Sequence, residues 1–338
     1  MLGRTRQKVG CDESNSSCGD MVGNEPENAC CAECGVMGDA SLKMCKACML
    51  VKYCNAECQH KHWPKHKKHC KQRAAEMRDE ALFKDPPPKE DCPICFLPMP
   101  SKLICCVSLP PATLSFVPIC EFSEANKGLA GMDMDVYYPC CGKRICEGCI
   151  HSFNNSGNNG KCPFCNAERI GRTDRELVAD MRKRVAANDA ASIYMLGYEY
   201  YHGSFGLQQD QTKAIELFTK SAELGCSKAH VHLGMLHYKG GDMRKAKYHY
   251  EAAAMAGHEG ARCNLGILET QSGNREQAMK HFIIAASAGD SRAMDEMRTC
   301  FEQGLVSRDT INSISAAYNN SCAEMRSEAR DAYMRRFY

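Results

Sequence analysis

No apolar run in this 338-residue chain is long enough to cross a bilayer, which takes about 20 consecutive apolar residues. Its opening, MLGRTRQKVG, is polar where a secretory signal would carry its hydrophobic stretch. These two absences predict a protein of the cytosol or nucleus with no membrane partner. Charge of one sign is also missing: the net charge is +2, so no global basic field argues for nucleic acid. Aromatic residues make up 7% with a single tryptophan, and neither a nucleotide-binding loop nor a catalytic triad is found. The first 28 residues lack hydrophobic periodicity and are predicted to be disordered.

Cysteine, by contrast, is abundant, at 25 residues. In a reducing compartment closely paired cysteines are metal ligands more often than disulfides, which points to zinc. Most of them fall in two clusters, 31–70 and 92–165, separated by KQRAAEMRDEALFKDPPPKED. That spacer reads as a polar helix over 71–90 ending at a proline stop. From about residue 174 the composition shifts to Ala, Leu, Tyr and Gly, and the four cysteines there, 226, 263, 300 and 322, are unpaired in sequence.

The first cluster offers Cys31, Cys34, Cys45, Cys48, Cys54, Cys58, His66 and Cys70. A C-x2-C turn brings two thiolates to one ion, and eight ligands make two tetrahedra. So short a segment has too few apolar side chains to fold by burial alone, and metal binding would supply much of its folding free energy. Cys30 competes with Cys31, but only Cys31 has the two-residue spacing. The order C-x2-C, C-x2-C, YC-x3-CQ, then HWPKHKKHC resembles the MYND zinc finger over 29–70. The resemblance implies that Cys31, Cys34, Cys54 and Cys58 hold one zinc, that Cys45, Cys48, His66 and Cys70 hold another, and that the finger recognises short proline-containing peptides. Trp63 is then a packing residue or part of a peptide groove. His60, His62 and His69 sit among lysines on a helix expected to be solvated, and are not expected to be ligands. MYND modules occur within lysine methyltransferases, but no segment here resembles that catalytic domain.

The second cluster, DCPICFLPMP, YYPCCGKRICEGCI and KCPFCNAE, repeats the zinc-turn spacing at Cys92/Cys95, Cys146/Cys149 and Cys162/Cys165. It resembles a RING finger over 91–170 with a long internal loop. The resemblance implies one zinc on Cys92, Cys95, Cys146 and Cys149, and a second on Cys162, Cys165 and ligands near 140. Lys143 stands where a RING has its histidine, and a cationic ammonium is a poor ligand. Adjacent Cys140 and Cys141 could both serve; Cys105, Cys106, Cys120 and His151 are the alternatives. RING ubiquitin ligases dock a charged ubiquitin-conjugating enzyme and position it for transfer. By resemblance Ile94, Phe153 and Pro163 supply that surface, while Asn166 stands where efficient members place Arg or Lys.

From 187 to about 310 the sequence repeats. KAIELFTKSAELG, KAKYHYEAAAMAG and QAMKHFIIAASAG are in constant register, aligning Ala214, Ala246 and Ala278, then Phe218, Tyr250 and Phe282, Ala222, Ala254 and Ala286, and Gly225, Gly257 and Gly289. These offsets lie on one helical face closed by a glycine cap. Before each is a helix with a Leu-Gly pair, at Gly197, Gly234 and Gly266, where glycine lets a neighbour approach. Such a period marks a solenoid, and the pattern resembles Sel1-like repeats, relatives of the tetratricopeptide repeat. A fourth unit starts at Ala293, and SEARDAYMRRFY reads as a charged terminal cap.

The predicted architecture is multidomain: two small zinc-stabilised modules carrying about four zinc ions, followed by an all-α helical-repeat solenoid over 174–338. The function expected is a protein-interaction adaptor. Its partners would be a peptide ligand of the MYND finger, clients of the solenoid and, if the second finger is a ligase, a ubiquitin-conjugating enzyme. The alternatives are a noncatalytic scaffold and a nucleic-acid or transcriptional regulator. Read as modules, chelation should unfold 31–165 and spare the helices of the repeats.

Overall fold

The computed structural model describes residues 30–36, 42–99, 135–158 and 160–335. The predicted disordered segment 1–28 and the alternative ligands Cys105, Cys106 and Cys120 lie outside the described residues. The chain forms two compact units divided between Leu82 and Phe83.

In the first unit a two-residue hairpin, β1 (Lys43–Met44) against β2 (Lys52–Tyr53), pairs Lys43 with Tyr53 and Met44 with Lys52. It leads into α1 (Ala56–Leu82), a single 27-residue helix that carries both the last ligand candidates and residues 71–82 of the segment 71–90 read as a linker. The core is made of thiols: Cys31, Cys45, Cys48 and Cys70 are buried around Tyr53, with Leu42 and Val51 as partly buried aliphatic neighbours. Burial of this size cannot fold a unit alone, so the core itself calls for a cross-link.

The second unit holds the second finger and the repeats together. Its finger pairs β3 (Asp135–Tyr138) with β4 (Lys143–Cys146), with Val136 opposite Ile145, and continues into α2 (Glu147–Phe153). Tyr138, Ile145 and Ile150 are buried among Cys92, Cys146, Cys149 and Cys162.

The solenoid runs α3 (Asp174–Ala186), α4 (Ala190–His202), α5 (Gln211–Glu223), α6 (Ser227–Lys239), α7 (Met243–Met255), α8 (Glu259–Gln271), α9 (Arg275–Ser287), α10 (Ser291–Glu302), α11 (Arg308–Glu324) and α12 (Glu328–Met334). Aspartates start the helices: Asp189, Asp210, Asp242 and Asp290 each accept a backbone N–H from the first turn of α4, α5, α7 and α10. Left-handed glycines end them, Gly225 at φ 87°, Gly257 at 87° and Gly289 at 95°. The aligned positions are core: Ala214, Ala246, Phe218, Tyr250, Ala254 and Ala286 are fully buried or nearly so. The Leu-Gly glycines face the aromatic ring of the next helix. A β-carbon on Gly266 would lie 2.5 Å from the Phe282 ring, and one on Gly234 2.7 Å from Tyr250.

The second finger is not a free-standing module. Tyr137 Oη donates to Asp189 Oδ2 at 2.7 Å and lies 2.6 Å from Ser192 Oγ. Arg184 of α3 donates to the carbonyls of Pro139 and Cys140. Ahead of the finger, Lys89 pairs with Glu259 at 3.1 Å and donates to Ala288 O at 3.0 Å. The sequence pattern, which shows repeat periodicity and cysteine spacing but not tertiary contacts, gave no sign of this union. Among the described residues no helix is long and apolar enough to cross a membrane.

Candidate metal centres

Four C-x2-C turns share one local geometry. In each the first cysteine's carbonyl accepts the N–H of the residue after the second: Gly35 to Cys31 at 2.9 Å, Met49 to Cys45 at 2.9 Å, Phe96 to Cys92 at 2.8 Å and Asn166 to Cys162 at 3.0 Å. That donating residue is left-handed every time, at φ 67°, 56°, 53° and 57°. The first cysteine's own N–H closes the loop on Val36, Val51, Leu97 and Ala167. Only the first of these turns has glycine at the left-handed position, where it costs nothing sterically. Asn166 is tolerated there, but at Met49 and Phe96 the side chain sits in a conformation costing about 1–2 kcal/mol, a strain held by whatever fixes the turn.

The turns bring donors together in four sets: Cys31, Cys34, Cys54 and Cys58; Cys45, Cys48, His66 and Cys70; Cys92, Cys95, Cys146 and Cys149; and Cys140, Cys141, Cys162 and Cys165. Within each set all ligand atoms lie within 4.8 Å of one another. Nearest pairs are Cys54–Cys58 at 3.2 Å, Cys45–Cys70 at 3.7 Å, Cys92–Cys149 at 3.9 Å and Cys140–Cys165 at 3.5 Å, and Cys48 Sγ is 3.3 Å from His66 Nε2. A tetrahedron with Zn–S bonds of about 2.3 Å has S–S edges of about 3.8 Å. A disulfide needs about 2.05 Å, and every cysteine in the sets is a free thiol. Soft sulfur and imidazole donors in fours fit zinc, and the protein carries about four such sites.

At the second finger's second set the structure brings together Cys140 and Cys141, both partly buried. His151 is elsewhere, with Nε2 3.2 Å from the Asn155 amide and its ring near Tyr333. Lys143 holds its ammonium 5.4 Å from the Phe164 ring centre.

The electrostatics of the sets call for a cation. Burial raises Cys31 and Cys45, but backbone N–H groups of the turn, from Cys34 and from Cys48 foremost, outweigh it and hold both at about 6. Cys92 is likewise held at about 7, with N–H groups of Cys146 and Cys95 opposing burial. Their set-mates move the other way. Burial and the neighbouring thiolates push Cys70 up to about 12 and drive Cys149 well above the ordinary thiol range. Converging thiolates cannot all ionise unaided, and a divalent ion removes that conflict.

His66, buried at 6% exposure, is framed by side chains whose role the spacing did not reveal. His62 stacks on its ring at 5.6 Å and accepts or donates at Nδ1 to Tyr53 Oη at 2.9 Å, while Trp63 meets the His66 ring edge-on. An i, i+4 relation between His62 and His66 was the available signal. His60 and His69 are exposed. Of the surface candidates on the second finger, Ile94 is 42% exposed, Phe153 and Pro163 are half-buried, and Asn166 is exposed at its left-handed position.

Comparison with known proteins agrees with this geometry. The MYND finger family matches residues 31–70, and the Sel1 repeat family matches 190–226, 227–258 and 261–290. A 41-residue stretch is 46% identical to human histone-lysine N-methyltransferase SMYD3, covering 12% of this chain and 9% of that enzyme. Among solved structures, a Sel1 repeat protein from Oxalobacter formigenes aligns over 51% of this chain and 71% of its own, at 21% identity and TM-score 0.41. A protective antigen of uropathogenic Escherichia coli displaying an SLR fold aligns over 56% of this chain and 43% of its own, at 21% identity and TM-score 0.37. Residues 31–70 are thus a MYND zinc finger, and residues 190–290 are Sel1 repeats.

Proposed function

We propose that this protein is a zinc-organised adaptor that holds partner proteins on its MYND finger and on its repeat solenoid, with the sixteen clustered residues as the zinc ligands. One observation carries the reading: each donor set is complete with four protein ligands. A catalytic zinc keeps a position open for water or substrate, whereas a closed tetrahedron is structural. The metal therefore builds surfaces, and the fingers expose apolar side chains on them: Met49 at 53%, Leu50 at 61% and Phe96 at 76%. The test is fluorescence polarisation of proline-containing peptides with the zinc-loaded full chain. Saturable binding lost in Leu50→Asp and Trp63→Ala supports the adaptor; no binding across the peptide panel sinks the MYND half of it.

A second reading, ligase activity of the RING-like finger, is favoured by the open Ile94 two residues after Cys92. It places a ubiquitin-conjugating enzyme on Ile94, Phe153 and Pro163. Asn166 weighs against turnover, since it lacks charge and reach. Because the finger and solenoid share one unit, the full chain is the reagent. Ubiquitin discharge from a charged conjugating enzyme that Ile94→Ala abolishes supports this reading. Silence in wild type and in Asn166→Arg, with zinc bound, leaves the noncatalytic adaptor.

A further inference from the structure

The C-terminal helix, expected to be a charged cap of the solenoid, instead inserts a guanidinium beside a metal centre. Arg330 of α12 is 3% exposed. Its Nε donates to Cys146 Sγ at 3.4 Å and its Nη2 to Cys95 Sγ at 3.5 Å. The remaining N–H groups go to carbonyls: Leu97 at 3.3 Å, Pro98 at 2.9 Å and Met325 at 2.5 Å. All five donors of the guanidinium are thereby used. Among the described residues no carboxylate pairs with it, so the sulfurs of Cys95 and Cys146 are the side-chain acceptors in contact with this buried cation.

The backbone is fitted to the same contact. A β-carbon on Gly148, in α2 between Cys146 and Cys149, would lie 2.6 Å from Arg330 N and 2.7 Å from its Cα. Glycine at 148 is therefore a condition for α12 to lie on α2. Ser327 caps α12 at Arg330 N, 3.2 Å away, and Arg326 bonds Asp331, so the helix presents Arg330 in a fixed direction.

We propose that Arg330 is an outer-shell residue of the Cys92, Cys95, Cys146 and Cys149 centre, and that metal in this centre retains the C-terminal end of the solenoid on the finger. The proposal rests on the zinc reading of that donor set. Four thiolates on one divalent ion carry two net negative charges, and a guanidinium that donates to two of the sulfurs offsets part of that excess while fixing their direction. An emptied centre no longer aims the two sulfurs at the guanidinium, and a buried cation left with carbonyl acceptors alone and no charge to offset it is destabilised in place. Outer-shell partners of metal ligands are worth about 10–100-fold in metal affinity when removed.

The test uses the full chain loaded with zinc, its stoichiometry read first by native mass spectrometry. Zinc release to a chelator is then followed for wild type, Arg330→Gln, Arg330→Lys and Gly148→Ala. Expected is about 10–100-fold faster release of one ion in Arg330→Gln, with the others unchanged and Cys95 and Cys146 the first thiols alkylated. Arg330→Lys keeps the charge but not the fork, and falls between. Gly148→Ala, which leaves Arg330 intact, releases the same ion faster. In wild type, hydrogen exchange in 328–335 should rise in step with loss of that ion. Should Arg330→Gln fail to fold, the wild-type exchange experiment decides alone. Unchanged release in the variants, or α12 protection that survives emptying of the centre, overturns the proposal. A chain that binds zinc at the other sets but leaves this one empty overturns the zinc reading beneath it.

Discussion

Replacing Gly266 with alanine isolates what the Leu-Gly pairs do. By intrinsic propensity the change should stabilise α8 by about 1 kcal/mol. The structure sets packing against it. The new β-carbon would meet three Phe282 ring atoms at 2.5, 2.7 and 2.8 Å, closer than any real contact, and the ring is 3% exposed and has nowhere to move. Overpacking of this kind costs about 1–3 kcal/mol, so after the propensity gain the net loss should be roughly 0–2 kcal/mol, toward the upper end for contacts this short. The other repeats supply a graded control: Gly234 faces Tyr250 at 2.7, 2.7 and 3.1 Å, and Gly197 faces Phe218 and Leu217 at 3.0 to 3.1 Å. Urea titrations followed by far-UV circular dichroism should rank the losses Gly266→Ala, then Gly234→Ala, with Gly197→Ala close to neutral. A cycle with Phe282→Leu should show favourable coupling, since the smaller side chain makes room. A uniform gain of about 1 kcal/mol at all three sites would mean that the glycines answer to something other than the facing ring.

Glu199 is 5% exposed, and burial raises its carboxyl from 4.5 to about 7, opposed only by a hydrogen bond from Ser204. The fold therefore favours the protonated form: its contribution is full below about pH 4.5 and is lost as pH rises through about 7, so Glu199→Gln should exceed wild type by on the order of 3 kcal/mol at pH 8 and by under about 1 kcal/mol near pH 5. Equal urea midpoints at both pH values would refute this. Phe96→Gly relieves a left-handed side chain at φ 53° and should stabilise zinc-loaded chain slightly, by less than about 1 kcal/mol after glycine's entropy cost; destabilisation would show that the 76% exposed ring packs more than its exposure implies. Cys48→Ser should lower zinc content and unfold the MYND finger without moving the thermal transition of the solenoid, which belongs to a separate compact unit.

Much of this was legible in the sequence because the chemistry is local or periodic. A C-x2-C turn writes its geometry within six residues, and the repeat register of Phe218, Tyr250 and Phe282 recurs with each helix pair. Choosing among Cys140, Cys141 and His151 was not settled by spacing, since adjacent thiols and a nearby imidazole are equivalent until β4 and α2 turn them in different directions. Least legible were contacts made across long sequence separation. Tyr137 with Asp189, Lys89 with Glu259 and Arg330 with Cys146 join segments whose composition carries no pairing signal. They also revise the modular expectation: the second finger has one solenoid side chain, Arg184, bonded to the backbone at Pro139 and Cys140, so its metal should matter to the helices at residues 184 and 330 as well as to itself.

The central claim is that zinc builds both fingers, and counting ions tests it most directly. Native mass spectrometry of the full chain, purified without added chelator, should find four zinc ions per chain, one for each donor set, falling as the ligand cysteines are replaced one set at a time. Two ions, retained by a chain whose second-finger cysteines alkylate freely, would contradict the account and leave residues 91–170 held by packing alone.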